Sequence, residues 1–589
     1  MSKIEWVALV GIVGTTLVSW LLLFGAAFLG YQVSFWLTVV ICGGVLLLVA
    51  RRKINSTRFT QPNYQQVIFV LAWGALFAGL LQTRMLEKKA AGWYSGGATW
   101  GDLALHTSFV SKFSTQPVLD LTSPIYAQQE TRYPFLFDFY TAQLVRHGLS
   151  IQHALTYTSL SLLVASLVLF YRIVYRLTRS VRGVWIASSL FFCNGGLGVW
   201  YFVQDFLASK QSLLTFVQHQ PYNYAHIADR GIHFSNVITD LLLPQRGIVL
   251  GLAIFLVVLF LWQTASRSWR VFCLSSLLIG LTPLIHVHTY LMLLGCLIWL
   301  VIIQRGKKIF STRQSLLVLT PAVLLGVAQL WWMGIGQHGS QFVTLMQGWM
   351  EPKESLILFW LKNLGLELVF VVFGNLLLFW KTKQRTVLHQ LLPPLVGVFF
   401  IGNLISLQPH VYDNIKLFFY LHLFTAFFTT VILLKLAHRS RILAATCFLV
   451  LTITGTLSVI RENQQSWQIT SNDDLTFAAQ VQAKTESAAI FLTADNHNHP
   501  IPLLAGRSTV LGYRGWLWTH GIPYQKTEAA VQKIYAGDPN ALELLKKYHV
   551  SYVVIGNEEQ QQFVVNNGFF YQNFPIVLQT ASRTVFAVQ

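Results

Sequence analysis

Runs of roughly 20 apolar residues recur from Trp6 to about Val459, each long enough to cross a hydrocarbon core of ~30 Å at about 1.5 Å per helical residue. That repetition leaves little choice of fold. With 54% hydrophobic and 11% charged positions in 589 residues, a single soluble domain is excluded, and the expected class is a polytopic α-helical membrane protein. The first run has no small-residue cleavage site and reads as a retained span.

A net charge of +19 invites a nucleic-acid partner, but its distribution excludes one. The basic residues gather between spans: Arg51, Arg52, Lys53 and Arg58, then Arg172, Arg176, Arg179 and Arg182, then Arg267 and Arg270. Three more groups follow, at Arg305, Lys307, Lys308 and Arg313, at Lys381, Lys383 and Arg385, and at Lys435, Arg439 and Arg441. None of these six loops holds an Asp or Glu, which places them on the cytoplasmic side by the positive-inside rule. Counting the alternation predicts about thirteen spans, a cytoplasmic N-terminus and an extracytoplasmic C-terminal tail. The five cysteines lie in or beside apolar runs without metal or disulfide spacing and read as packing residues.

Two stretches are too polar to span. Residues 82–152 form the first large extracytoplasmic loop, expected to carry short helices on the membrane surface. Residues 461–589 have the composition of a small α/β domain, beyond a transmembrane domain of residues 1–460. In that tail, strands are expected at Ala489–Thr493 and Ser551–Ile555, and helices at Thr527–Tyr535 and Asn540–Tyr548.

Polar constellations border the spans on the extracytoplasmic side. Asp102 and His106 in Trp100-Gly101-Asp102-Leu103-Ala104-Leu105-His106 stand at i and i+4, so one helix face offers a carboxylate and an imidazole to one substrate. The plainer reading makes Asp102 a helix cap and His106 an interface histidine. Asp205 lies in a loop rich in Gln, His, Asn and Tyr, and Arg246 follows Pro244 at a span mouth, where a guanidinium either anchors the span or binds phosphate. His286 and His288 suit either metal binding or interfacial hydrogen bonding, although i,i+2 spacing in a helix points them apart. Asp413 and Lys416 form an i,i+3 pair, either a plain ion pair or a phosphate site. In the tail, His497, His499, Trp516, Trp518 and His520 belong to a polar aromatic loop that reads as interface anchoring or as a sugar-stacking platform. Ionisable groups beside hydrocarbon are expensive, so their shared sidedness favours a functional cavity.

A dozen or so spans, an acidic residue in the first large external loop and a C-terminal external α/β domain resemble the GT-C superfamily of integral-membrane glycosyltransferases. The total of about thirteen spans plus a soluble tail is similar to oligosaccharyltransferase catalytic subunits. The segment Arg132-Tyr133-Pro134-Phe135-Leu136-Phe137-Asp138 resembles a Tyr-Pro-rich loop of the protein mannosyltransferase and lipid A aminoarabinose transferase branch. Asn194-Gly195-Gly196-Leu197-Gly198, Pro244-Gln245-Arg246, His286-Val287-His288 and Asp413-Asn414-Ile415-Lys416 resemble uncharacterised bacterial glycosyltransferase-like membrane proteins. The Trp-Trp-Asp-Tyr-Gly motif of oligosaccharyltransferases is absent from the tail, which speaks against sequon glycosylation.

The resemblance implies a polyprenyl-phosphate-linked sugar donor drawn from the bilayer, a glycan, lipid or protein acceptor, and a bacterial inner membrane. It implies Asp102 as general base with His106 assisting, and inversion at the anomeric carbon. Arg246, Lys416 and Asp413 would then serve the donor phosphate, with Tyr133, Asp205, His286, His288, His497, His499, Trp516, Trp518 and His520 around the substrates. Cationic side chains can stabilise a lipid phosphate leaving group without a metal, and a divalent metal stays open as a cofactor. Two rivals remain: a transporter or flippase of a lipid-linked precursor, which predicts ionisable groups at mid-membrane depth, and a non-catalytic envelope scaffold.

Overall fold

The computed structural model of the protein describes residues 1–54, 60–61, 63–334, 343–374 and 386–588. Among these, eight helices are long and apolar enough to cross a membrane: Lys3–Leu29, Tyr64–Arg84, Ile151–Thr178, Arg246–Thr264, Val287–Gly306, Thr312–Trp332, Val411–Arg439 and Arg441–Gln464. Four shorter apolar helices accompany them, Tyr31–Gly44, Val181–Phe192, Trp269–Gly280 and Leu392–Leu404. Where about thirteen spans were expected, the described residues supply these eight and four; the basic residues Arg58, Lys381, Lys383 and Arg385 lie outside them. Phe28, Leu71, Leu324 and Ile442 stand exposed on the outer faces of the long helices, as a lipid-facing surface requires. Arg246–Thr264 and Val411–Arg439 are the inner pair, each with 78% of its apolar window buried. Both begin at the polar groups discussed below.

Glycine interrupts two apolar runs. The run from Val184 to Val203 is helical only to Phe192 and resumes at Gly198–Ser209. Between them Gly196 has φ +57°, and a Cβ there would stand 2.3 Å from the carbonyl oxygen of Lys362, so the close backbone approach admits only glycine. The second break is at Gly365, φ +59°, between Leu356–Leu364 and Leu366–Val369. Just beyond it Glu367 is buried; its Oε2 meets His422 Nδ1 at 3.0 Å inside the bundle, while its Oε1 has no hydrogen-bond partner among the described residues.

The first polar loop does not lie flat on a surface. Its helix Asp102–Thr115 is buried continuously from Leu103 to Phe113, clasped between the bundle and the tail. Ser111 donates to the Leu503 carbonyl at 2.6 Å, and the fully buried Lys112 reaches Ser508 and Asp120, each at 2.8 Å. The hairpin Glu87–Lys89 and Gly92–Ser95 also accepts Trp467–Ser471 as a third, antiparallel strand, so loop and tail share one sheet.

The tail is α/β. Its five-stranded sheet runs in the order Ile576–Gln579, Arg583–Ala587, Tyr552–Gly556, Ile490–Leu492, Ser508–Thr509. The last three are parallel, with Tyr552 opposite Phe491, and the first two antiparallel. The expected strands are thus present as Ile490–Leu492 and Tyr552–Gly556, buried as their apolar runs require, and the expected helices as Gln525–Ala536 and Ala541–Lys547.

Candidate functional site

Asp102 opens its helix as the first helical residue. Gly101 occupies the N-cap without a side-chain cap bond, so Asp102 is not the cap that one reading allowed. Its carboxylate instead accepts from the Gln245 side chain, across from the head of Arg246–Thr264. The helix N-terminus favours a carboxylate there. Burial nevertheless pushes the Asp102 carboxyl above its ordinary range, opposed by Lys416, His106 and the Gln245 bond, with Asp413 adding to the rise.

One turn on, His106 is buried and its Nδ1 lies 2.7 Å from Asp138 Oδ2. Asp138 Oδ1 accepts from Arg246 Nε at 2.9 Å. A carboxylate can only accept, so Nδ1 carries the hydrogen, and Nε2 is the ring nitrogen free to exchange a proton. That Nε2 has no hydrogen-bond partner among the described residues.

Arg246 is fully buried, and its five N–H donors are all taken. Nε goes to Asp138, Nη1 to the Leu155 carbonyl and Ser159 at 3.0 Å each, and Nη2 to Thr141 and to Thr158 at 3.2 Å. It therefore cannot bind the donor phosphate as expected; it locks three segments together and holds Asp138 against His106.

Lys416 is a second cation here, 3.0 Å from Asp413 Oδ1 in the first turn of its helix. Asp102, His286, His288 and His520 all lie within its electrostatic reach. His286 and His288 do not point apart. His286 is the N-cap of Val287–Gly306 in extended conformation, accepting from Thr289 N at 3.2 Å, and the change of backbone brings the two rings to 5.5 Å.

The tail closes over this group at three places. His520 packs on Tyr133 at 4.8 Å between ring centroids, Trp518 on His410 at 5.6 Å, and His497 on Trp100 at 3.8 Å. Burial drives both His520 and His497 down to about 4, so both are neutral at physiological pH. Tyr133, enclosed beside Asp102, Asp138 and Asp413, is pushed well above the usual phenol range, first by burial.

Three expected substrate residues lie elsewhere. Asp205 is paired with Arg230 at 2.9 Å and with Tyr224, in a satellite aromatic cluster around Phe202 and Phe216. His499 is turned into the tail, where Nε2 meets Glu559 at 3.0 Å and Glu558 at 3.8 Å. These three are the one His/Cys/Asp/Glu group with metal-ligand proximity among the described residues, and it belongs to the tail's interior. Trp516 is only 7% exposed and packs against His497 and Tyr513, so it offers no open face for stacking.

Asp138 and Gln245 stand in segments noted for their resemblance, but neither was given a role in the site. Asp138 had a signal, since an acid within the aromatic run Phe135–Phe139 must be paired if it is buried. Gln245 had none.

Fold and site together define a polytopic helical membrane protein whose α/β tail domain packs over a cluster of polar side chains at one end of the bundle. No family model and no curated protein sequence matches the chain. Among solved structures, it is similar to the Archaeoglobus fulgidus oligosaccharyltransferase tethered by a disulfide to an acceptor peptide with the NVT sequon, at TM-score 0.47 and 13% identity over 85% of this chain and 70% of that one. The apo form of the same enzyme gives TM-score 0.47 and 12% identity over 85% and 70%, and its complex with Zn and sulfate 0.45 and 10% over 83% and 68%.

Proposed function

We propose that the protein is a membrane glycosyltransferase that moves a sugar from a polyprenyl-phosphate-linked donor to an acceptor hydroxyl at the tail-covered, extracytoplasmic mouth. The observation that carries this reading is the convergence of a carboxylate, Asp102, and a cation, Lys416, from chain segments more than 300 residues apart, under a covering domain. The acceptor oxygen attacks the anomeric carbon from the face opposite the phosphate. Its proton passes to Asp102 as the new C–O bond forms, while the bond to the phosphate oxygen breaks and the lipid phosphate leaves with the electron pair. Inversion follows from this single displacement. Lys416, steadied by Asp413, offsets the charge growing on the leaving phosphate. Gln245 aims the base, and His286, His288 and His520 provide a polar lining.

His106 supports a second version of the proton step. Its Nε2 lacks a partner and its Nδ1 is fixed by Asp138, the arrangement that suits an imidazole to take up a proton.

A path for transport receives less support. Inside the bundle the buried Glu367 is paired with His422, whereas Asp102, Lys416 and Asp413 gather at the tail-covered end.

The test is turnover of radiolabelled polyprenyl-phosphate sugars by the protein in lipid nanodiscs. Asp102→Asn is expected to lower kcat by about 10²–10⁴-fold, as for loss of a general base, with donor binding retained. Unchanged turnover in Asp102→Asn together with a large loss in His106→Gln would transfer the base role to His106. Unchanged turnover in both removes the proton-transfer mechanism.

A further inference from the structure

A second cavity, of about 440 Å³, opens beside the Asp102 corner and is used by none of the steps above. Its wall begins at Trp100, two residues before Asp102, and continues through Asn223, Asp240, Arg461, Glu462 and Trp467. Its size falls within the range of about 300–1,000 Å³ typical of small-ligand sites.

The walls are held firmly. Both oxygens of Glu462 accept from the backbone N–H of Ala98, at 3.1 and 3.2 Å, and Arg84 binds the carbonyls of Glu462 and Gln465 at the end of the last long helix. Asp240 sits on the π-helical turn Val237–Leu242, a geometry that recurs at functional sites, and accepts from Thr239. Arg461 lies within electrostatic reach of both carboxylates, and its Nε has no hydrogen-bond partner among the described residues. At the rim two indoles keep open surface, Trp100 at 39% and Trp467 at 53% exposed.

Each feature restricts the ligand. Two carboxylates with one guanidinium disfavour a phosphate, so the donor headgroup belongs with Lys416 and not here. Polar groups of both kinds, donors on Arg461 and Asn223 and acceptors on Asp240 and Glu462, match a ligand whose hydroxyls donate and accept. Accessible indoles suit a ring with an apolar C–H face. We infer that this cavity binds the acceptor as a neutral saccharide, stacked on Trp467 and Trp100 and hydrogen-bonded by Asp240, Glu462, Arg461 and Asn223. The inference rests on the transferase reading for its role as acceptor site, but its binding claim stands apart from catalysis.

The experiment is saturation-transfer NMR of the full protein in nanodiscs, without donor, using glucose-, galactose-, mannose- and N-acetylglucosamine-terminated neutral disaccharides, with glucose 1-phosphate as the anionic probe. At least one neutral disaccharide is expected to bind, with affinity falling tenfold or more in Trp467→Ala and Asp240→Asn, retained in Trp467→Phe, and unchanged in Asp102→Asn. Thermal unfolding of each variant in the same nanodiscs separates lost binding from lost fold. Failure of every neutral disaccharide, equal binding to Trp467→Ala, or glucose 1-phosphate binding that falls in Trp467→Ala and Asp240→Asn but not in Lys416→Gln overturns the inference. If saccharide binding depends on Trp467 while Asp102→Asn turns over normally, the cavity assignment survives and the base assignment falls. If Asp102→Asn is inactive and no disaccharide binds, the reverse holds.

Discussion

At the scale of single residues, two cations on different helices, Arg246 and Lys416, illustrate how burial decides role. Arg246 has every donor consumed inside the bundle, whereas Lys416 is paired, among the described residues, with Asp413. Arg246→Met is therefore expected to leave Asp138 buried without its cation and to cost about 3–5 kcal/mol, read as a lowered unfolding midpoint and poor yield. Lys416→Gln should fold and lower turnover by roughly 10²-fold, the usual loss on removing one electrostatic contact to a transition state. Gln245 gives a pH test. Asp102 must be ionised to accept a proton, and burial has already raised its pKa, so the acid limb of kcat/KM is expected above the ordinary aspartate range. Lys416, His106 and the Gln245 amide act against that rise and Asp413 with it. Removing the amide in Gln245→Ala withdraws a bond to the charged form, so the limb should move to still higher pH; a limb that stays in place separates the profile from Asp102.

At the scale of elements, glycine breaks turn apolar runs into a site. Hydropathy alone reads Val184–Val203 as one span, because a run of apolar side chains carries no record of the backbone packed beside it. The break at Gly196 exists since the carbonyls of Lys362 and Asn363 approach within 2.5 Å of where a Cβ would be. Gly196→Ala is expected to destabilise the protein by about 1–3 kcal/mol, from the left-handed backbone and the enforced shift, measured by thermal unfolding in detergent. The helix Asp102–Thr115 makes a similar point. Its i,i+4 pair was legible, but the pair serves two partners: Asp102 meets Gln245 and His106 meets Asp138.

At the scale of the whole molecule, bundle and tail are joined through that helix and through the sheet that the first loop shares with Trp467–Ser471. Lys112 is the polar bolt, buried between Asp120 and Ser508. Lys112→Met is expected to speed hydrogen exchange by about tenfold or more in both residues 102–115 and residues 501–511, since coupled elements open together. A change confined to one of them would show that the tail is held by other contacts. Closure of the tail by Trp518, His520 and His497 then ties access to the mouth to the same contacts.

The sequence by itself determined the membrane class and the α/β character of the tail, because bilayer thickness and strand burial write themselves into local hydropathy. It also marked Asp102, His106, Lys416 and Asp413, since charges beside apolar spans are conspicuous. Only the tertiary structure decided which of these meet. Arg246 and Lys416 look alike at a span mouth, and a fraction of a helical turn sends one inward to Asp138 and leaves the other at the pocket. His499 and His520, 21 positions apart in one loop, part company in the same way, one held by Glu559 inside the tail and the other laid on Tyr133. Hydrogen-bond partners drawn from segments a hundred or more residues away are set by packing, and no local pattern encodes them.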